Sequence, residues 1–282
     1  MAANIAGMTQ AFYPPTRPLS IGEVLDLAVQ IFKATVIRCL AYGICAVTFE
    51  QLPNMYDLGS GNSHQPYGGG RPMWVALFLV GTVLALMAWS ALLLRQRAII
   101  EHTATNFKVE LGLTLRRLPV FVLATLLFLV AVGGGFAALL VVPAGYHAWA
   151  RVASTLLGVY LAILLSCTWP AVLLAGRSPW GALRQSARLV RGNWWRVAAI
   201  YGVGAAGVLV LAMLAGILIA LVVPTLVADL PVMMAVFTVL GNATIALVAP
   251  FVSALLLAVF GELRVRKEGL DLQQRIGGLA VE

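Results

Sequence analysis

Between residues 178 and 203 the chain reads SPWGALRQSARLVRGNWWRVAAIYGV. Trp180, Leu183, Ala187, Val190 and Trp194 recur at steps of three and four, which places them on one face of a helix. Arg184, Arg188 and Arg191 follow one residue later on the same period, so guanidinium groups edge the apolar face. This pattern predicts an amphipathic helix in the headgroup region, aromatics dipped in and arginines on lipid phosphates. Charge stops at Val197, where a long apolar run begins, and the pattern predicts that the helix passes into a membrane span without a break.

Similar transitions occur earlier. Ser20 and Glu23 form the S-x-x-E signature of a capping box, and Ile21, Val24, Leu25, Ala28, Ile31 and Phe32 share one face of the helix that follows. Six apolar runs are expected as spans, at about 35–52, 73–94, 119–142, 153–175, 197–223 and 232–260. The first is the least apolar, with Arg38 near one end and Glu50 near the other. The basic stretch 95–118 predicts a second interfacial helix, or two short ones. Residues 53–72 read as a Gly-, Asn- and Ser-rich loop. Pro170 predicts a kink in the fourth span, and Pro250 with Asn242 a bend or strong tilt in the overlong sixth. Ala198, Gly202 and Ala206, and again Ala212, Gly216 and Ala220, have the spacing that lets helices pack closely.

The expected fold is all-α: a polytopic membrane protein with six transmembrane helices and amphipathic interfacial helices on the cytoplasmic face. Residues 1–19, broken by Pro14, Pro15 and Pro18, read as a flexible cytoplasmic tail; 20–261 form the membrane domain; 262–282 form a charged, partly helical cytoplasmic tail. Setting Gly22 against Gly181 aligns Ala28 with Ala187, Tyr42 with Tyr201 and Gly43 with Gly202 without a gap. Three helix-plus-hairpin repeats would account for this, as would the shared composition of helix-to-span junctions.

Composition settles the class. Hydrophobic residues make up 61% and charged residues 11%, where soluble domains carry roughly 45–50% and about 25%. The net charge of +8 invites a nucleic-acid reading, but the charges fall between the apolar runs, so no nucleic-acid partner is expected. With six spans, seventeen lysines and arginines fall on one side and two, Arg71 and Arg151, on the other. The positive-inside rule then puts both termini in the cytoplasm of a cell with this protein in its plasma (inner) membrane.

Arg184, Arg188 and Arg191, with Trp194 and Trp195, are candidate contacts for anionic lipid or a partner's acidic face; the simpler alternative is a topology anchor on bulk anionic lipid. Glu50 is a candidate intramembrane acid or an acid at the outer interface. Asn242 is a candidate polar lining or a helix-to-helix hydrogen-bonding group. Cys39, Cys45 and Cys167 lie in or beside apolar runs without a pairing motif. His64, His102 and His147 stand in separate segments, and no catalytic or phosphate-binding motif occurs, so neither an enzyme, a cofactor nor a metal site is expected.

Three segments, RPLSIGEVLDLAVQIFK, ALRQSARLVRGNWWRV and ELRVRKEGLDL, resemble bacterial integral membrane proteins related to the membrane domain of glycerophosphoryl diester phosphodiesterase. In that family the phosphodiesterase activity belongs to a separate soluble domain, and its His-Arg-Gly signature is absent here. The resemblance therefore implies a six-span fold without catalysis. Together these readings favour a non-enzymatic scaffold or accessory subunit that engages anionic lipid, a protein partner or a second copy. The alternative is a transporter or flippase of a lipid-like or small amphiphilic substrate.

Overall fold

The computed structural model describes residues 13–15, 17–59, 72–103, 107–137, 146–227 and 229–269. Among the described residues every regular element is an α-helix: α1 (Ile21–Glu50), α2 (Leu52–Gly59), α3 (Pro72–Ile100), α4 (Phe107–Ala137), α5 (His147–Leu164), α6 (Thr168–Ala175), α7 (Pro179–Val190), α8 (Trp194–Leu226) and α9 (Leu230–Glu268).

Five stretches are helical, long and apolar enough to cross a membrane: Pro72–Ile100, Lys108–Gly134, Ala148–Ala175, Trp194–Leu226 and Val232–Glu268. The chain is thus an all-α, multi-pass protein. The expected first span, 35–52, is not among the five. It belongs to α1, which carries Lys33 and Arg38 along its length and ends on Glu50.

α1 packs with α3 against one side and α9 against another. Its buried stripe, Val24, Leu27, Ala28, Ile31, Thr35, Cys39, Gly43, Ala46 and Val47, keeps the three-and-four spacing from end to end. The expected junction between an interfacial helix and a span does not exist here. One capping box at Ser20–Glu23 starts a helix that continues through both. In the same way α3 and α4 take up most of 95–118, and no separate interfacial helix forms among the described residues there.

Two prolines set the closest packing. Pro250 has no N–H, so the carbonyl of Ala246 lacks its partner within α9. Gly43 of α1 sits on that carbonyl, and a Cβ there would lie 2.5 Å from the oxygen. Pro53 likewise frees the carbonyl of Phe49, and Gly81 of α3 sits on it closely enough to leave no room for a Cβ. Each freed carbonyl faces the Cα of a glycine, the geometry of a weak Cα–H···O contact. A third tie is Gln96, fully buried, whose Nε2 donates to Pro250 O at 2.8 Å and to Thr35 Oγ1 at 3.1 Å. It links α1, α3 and α9 in the apolar interior.

The fourth span breaks at 165–167, between α5 and α6. Pro170 clashes with the carbonyl four residues back, at Ser166, so the expected kink falls one turn before the proline. Ser186 of α7 repairs the break, donating to Leu164 O at 2.9 Å and accepting from the Cys167 N–H at 3.0 Å. The junction 178–203 also departs from its reading. α7 ends at Val190, Gly192 turns with φ 88°, and α8 starts at Trp194. In the Gly22–Gly181 alignment these turn positions, Gly192 and Asn193, face Lys33 and Ala34, which remain helical within α1. Two helix-formers in one copy and a glycine–asparagine turn in the other give the aligned segments different shapes.

Three further expectations change. Tyr13, within the stretch read as a tail, is buried and packs its ring against Gly261; the rest of 1–12 lies outside the described residues. The stretch 53–72 begins as helix α2, and 60–71 lies outside the described residues. Gly202 and Gly216, from the small-residue stripes of α8, have nothing within 4 Å of a would-be Cβ. α8 packs instead through Val197, Ile200 and Gly204, the last against Leu255 of α9.

Candidate functional site

The arginine-rich segments meet at one end of the bundle, at the start of α1 and α8 and the end of α3 and α9. Glu262, 1% exposed, pairs with Arg196 at 3.3 Å and with Arg266 at 2.7 Å. Both arginines also donate to the carbonyl of Leu19, just before the cap of α1. Glu110, 2% exposed, accepts from Arg95 at 2.8 Å and from the Tyr42 hydroxyl at 2.6 Å. Arg117 donates to Val172 O at 2.9 Å and Leu173 O at 2.6 Å, and Arg97 to Leu174 O at 3.3 Å. These are the free carbonyls at the C-terminal end of α6, where cations are favoured. Much of the positive charge counted toward topology therefore also holds helices together. Tyr13 lies in the same region, and burial pushes its hydroxyl above the ordinary range.

α7 lies across this end. Ser178 caps it, accepting from the Gly181 N–H at 3.3 Å, with Pro179 at the first turn. Its buried face is Ala182, Leu183, Gln185, Ser186, Leu189 and Val190, packed on α4, α5, α6 and α9. This corrects the membrane-facing reading. Leu183 and Val190 point into the protein, whereas Trp180 is 59% exposed.

The outward side is a groove of about 320 Å³ lined by Arg177, Gly181, Arg184, Gln185 and Arg188. Arg184 lies over the Trp180 ring, 5.9 Å from its centroid. Arg188 pairs with Glu268 at 3.3 Å, Gln185 donates to the same oxygen at 3.0 Å, and Arg264 takes the other oxygen at 2.9 Å. Arg177 donates to Gln185 Oε1 at 3.3 Å. One carboxylate is shared among these arginines, so the groove keeps excess positive charge.

Of the residues singled out in the sequence, the groove thus unites Arg184 and Arg188. Arg191, which follows α7, is exposed and does not line it. Trp194 stacks on Tyr160 at 5.3 Å and donates to its carbonyl at 3.1 Å, so it is a packing residue. Trp195 is 81% exposed. Arg177 and Gln185 were missed: Arg177 lies before the cap of α7, outside its helical period, and Gln185 is an uncharged residue on the helix's buried side.

The intramembrane candidates separate. Asn242 is half-buried in α9. Glu50 ends α1, and the contact between Phe49 and Gly81 puts it level with the middle of α3's apolar run. Glu50 lines a cavity of about 340 Å³ with Thr82, Trp89, Phe121, Trp169 and Leu256; Asn242 does not. The cavity was not legible in the sequence, because its walls come from helices far apart in the chain.

These features define a multi-pass α-helical membrane protein with a cross-linked basic end and a largely apolar cavity between its helices. The chain matches no family model, no curated protein and no solved structure. No group of three or more potential metal ligands occurs among the described residues.

Proposed function

We propose that this is a non-enzymatic component of a bacterial inner membrane, a scaffold or accessory subunit that holds anionic lipid headgroups in the α7 groove. The observation that carries this reading is the groove itself. Arg177, Arg184 and Arg188 surround it on the outward side of a helix whose apolar face is already occupied by the bundle. Two or more guanidinium groups at one place suit a phosphate, which accepts bidentate hydrogen bonds. The exposed Trp180 and Trp195 at the same end suit the interfacial zone. With the basic end cytoplasmic, both the start of α1 and the end of α9 face the cytoplasm, as the positive-inside rule favours. The resemblance of the three segments to the membrane domain of a phosphodiesterase family supports the same non-enzymatic reading. A second copy or a protein partner could dock over the same basic surface.

Native mass spectrometry of gently extracted protein tests this. Wild type should retain phosphatidylglycerol or another anionic phospholipid, and the Arg177→Gln, Arg184→Gln, Arg188→Gln variant should lose it. Equal retention in both, or retention of zwitterionic lipid alone, would remove the headgroup reading. A stoichiometric protein in place of lipid would point to the accessory-subunit form.

The second reading, transport or flipping of a small amphiphile, draws on the Glu50 cavity.

A further inference from the structure

We infer that the cavity between α1, α3, α4, α6 and α9 binds a lipophilic ammonium ion, with the Glu50 carboxylate as its counter-ion and Trp89, Phe121 and Trp169 around its apolar body. The inference concerns a different site from the headgroup groove, and its failure leaves that reading standing.

Size comes first. A cavity of about 340 Å³ lies at the small end of the range for ligand pockets, about 300–1,000 Å³. It admits one compact ring-bearing molecule. The sign of the charge follows from the polar groups. Glu50 is the one ionisable residue among those lining the cavity. The Thr82 hydroxyl is spent on Phe78 O at 2.7 Å, and the Trp169 N–H on Thr125 Oγ1 at 3.2 Å. An anion would meet the like charge of Glu50, the only charged group among the described wall residues. A cation finds a carboxylate with no hydrogen-bond or ion-pair partner among the described residues.

The setting strengthens the preference. Glu50 stands at the C-terminal end of α1, where the helix macrodipole is negative. Aromatic faces attract quaternary ammonium groups, more strongly where water is scarce. An unpaired carboxylate beside the apolar stretch of α3 is costly, and such acids are read first as ligand or ion sites. A bulk acyl chain would fill the apolar walls but leave Glu50 unanswered.

The test is equilibrium dialysis of radiolabelled benzyltrimethylammonium against the full chain in neutral maltoside micelles. Its uncharged carbon isostere, neopentylbenzene, and the anion benzenesulfonate serve as competitors. Wild type should bind saturably, with neither competitor displacing the probe at matched concentration. Glu50→Gln, isosteric and neutral, should bind about tenfold more weakly or worse. Ala85→Phe, which fills the cavity and keeps Glu50, should abolish binding. Equal affinity in wild type and Glu50→Gln overturns the inference, as does displacement by benzenesulfonate or the absence of saturable binding. If Ala85→Phe does not fold, the comparison of wild type with Glu50→Gln still decides.

Discussion

α1 and α8 are both about 30 residues long, and hydropathy ranks them in the opposite order from burial. α8 is the most apolar of the five candidate spans, yet only 6% of its most apolar stretch is buried. Leu209, Leu214, Ile217, Leu218 and Leu221 all stand more than half exposed. α1, too polar to be counted among the spans, packs along both α3 and α9 and buries a continuous stripe between them. In water the most hydrophobic helix would be the core. In lipid, tails are as apolar as leucine, so leucine gains nothing by turning inward. What gains is close packing and the shelter of polar groups, and α1 supplies both. Gly43 meets a freed carbonyl, Thr35 accepts from Gln96, and Tyr42 reaches Glu110.

The comparison is broken most severely at Glu262, the ion pair that fastens α8 to α9. The carboxylate is almost fully buried, while Arg196 and Arg266 stay about a fifth and a third exposed. Glu262→Gln leaves two guanidinium groups facing each other and the Leu19 carbonyl. Breaking a buried pair costs about 3–5 kcal/mol, and the partial exposure of the arginines puts this one toward the lower end. Thermal unfolding in micelles should show a large loss. A double variant, Glu262→Gln with Arg266→Gln, should recover part of it. A single variant as stable as wild type would mean that apolar contact alone fixes α8.

Next is a matched pair of glycines. In the 22–181 alignment Gly43 and Gly202 occupy the same position. Gly43→Leu must displace the Ala246 carbonyl, whereas Gly202→Leu adds a methyl-bearing side chain where nothing lies within 4 Å. Overpacking costs about 1–3 kcal/mol, and open surface sites stay within about ±0.5 kcal/mol. The measurement is the fraction of monodisperse protein after heating. Equal losses at both positions would show that the outer face of α8 is covered by something else, such as a second copy.

The same pair shows what the sequence could and could not tell. The helical class, the apolar runs of α3, α4, α8 and α9, the capping box and the break near Pro170 were legible, because each is local. Period, caps and proline act within a few residues. Gly43 and Gly202 look identical in one dimension. Their difference lies in Pro250, some two hundred residues away, which frees the carbonyl that Gly43 covers. The site divides in the same way. Arg184 and Arg188 were found because they repeat on one helix. Glu268 was not foreseen as the partner of Arg188, nor Glu262 as that of Arg196, since a charged segment after a last span reads as a tail. The Glu50 cavity draws its walls from five helices, and only the carboxylate was visible beforehand.

The smallest expected effect separates the starts of the two helices. The Glu23 carboxylate of α1 accepts from the Ser20 N–H at 2.6 Å, while Glu23's own N–H donates to Ser20 Oγ at 3.3 Å and Arg17 sits beside it. The Ser20 backbone N–H above all, then its hydroxyl and Arg17, lower this carboxyl from 4.5 to about 2. A depressed carboxyl stabilises the folded form fully above its unfolded value and progressively less as pH falls through the folded one. The first turn of α1 should therefore open more readily between pH 4.5 and about 2. Hydrogen exchange at the first turn, corrected for its intrinsic pH dependence, should show this in wild type and not in Glu23→Gln. At α8 the cap residue Asn193 makes no side-chain hydrogen bond, so the turn after it should show no carboxyl-dependent step. A step of equal size at both starts would mean that the capping box contributes nothing that this measurement resolves.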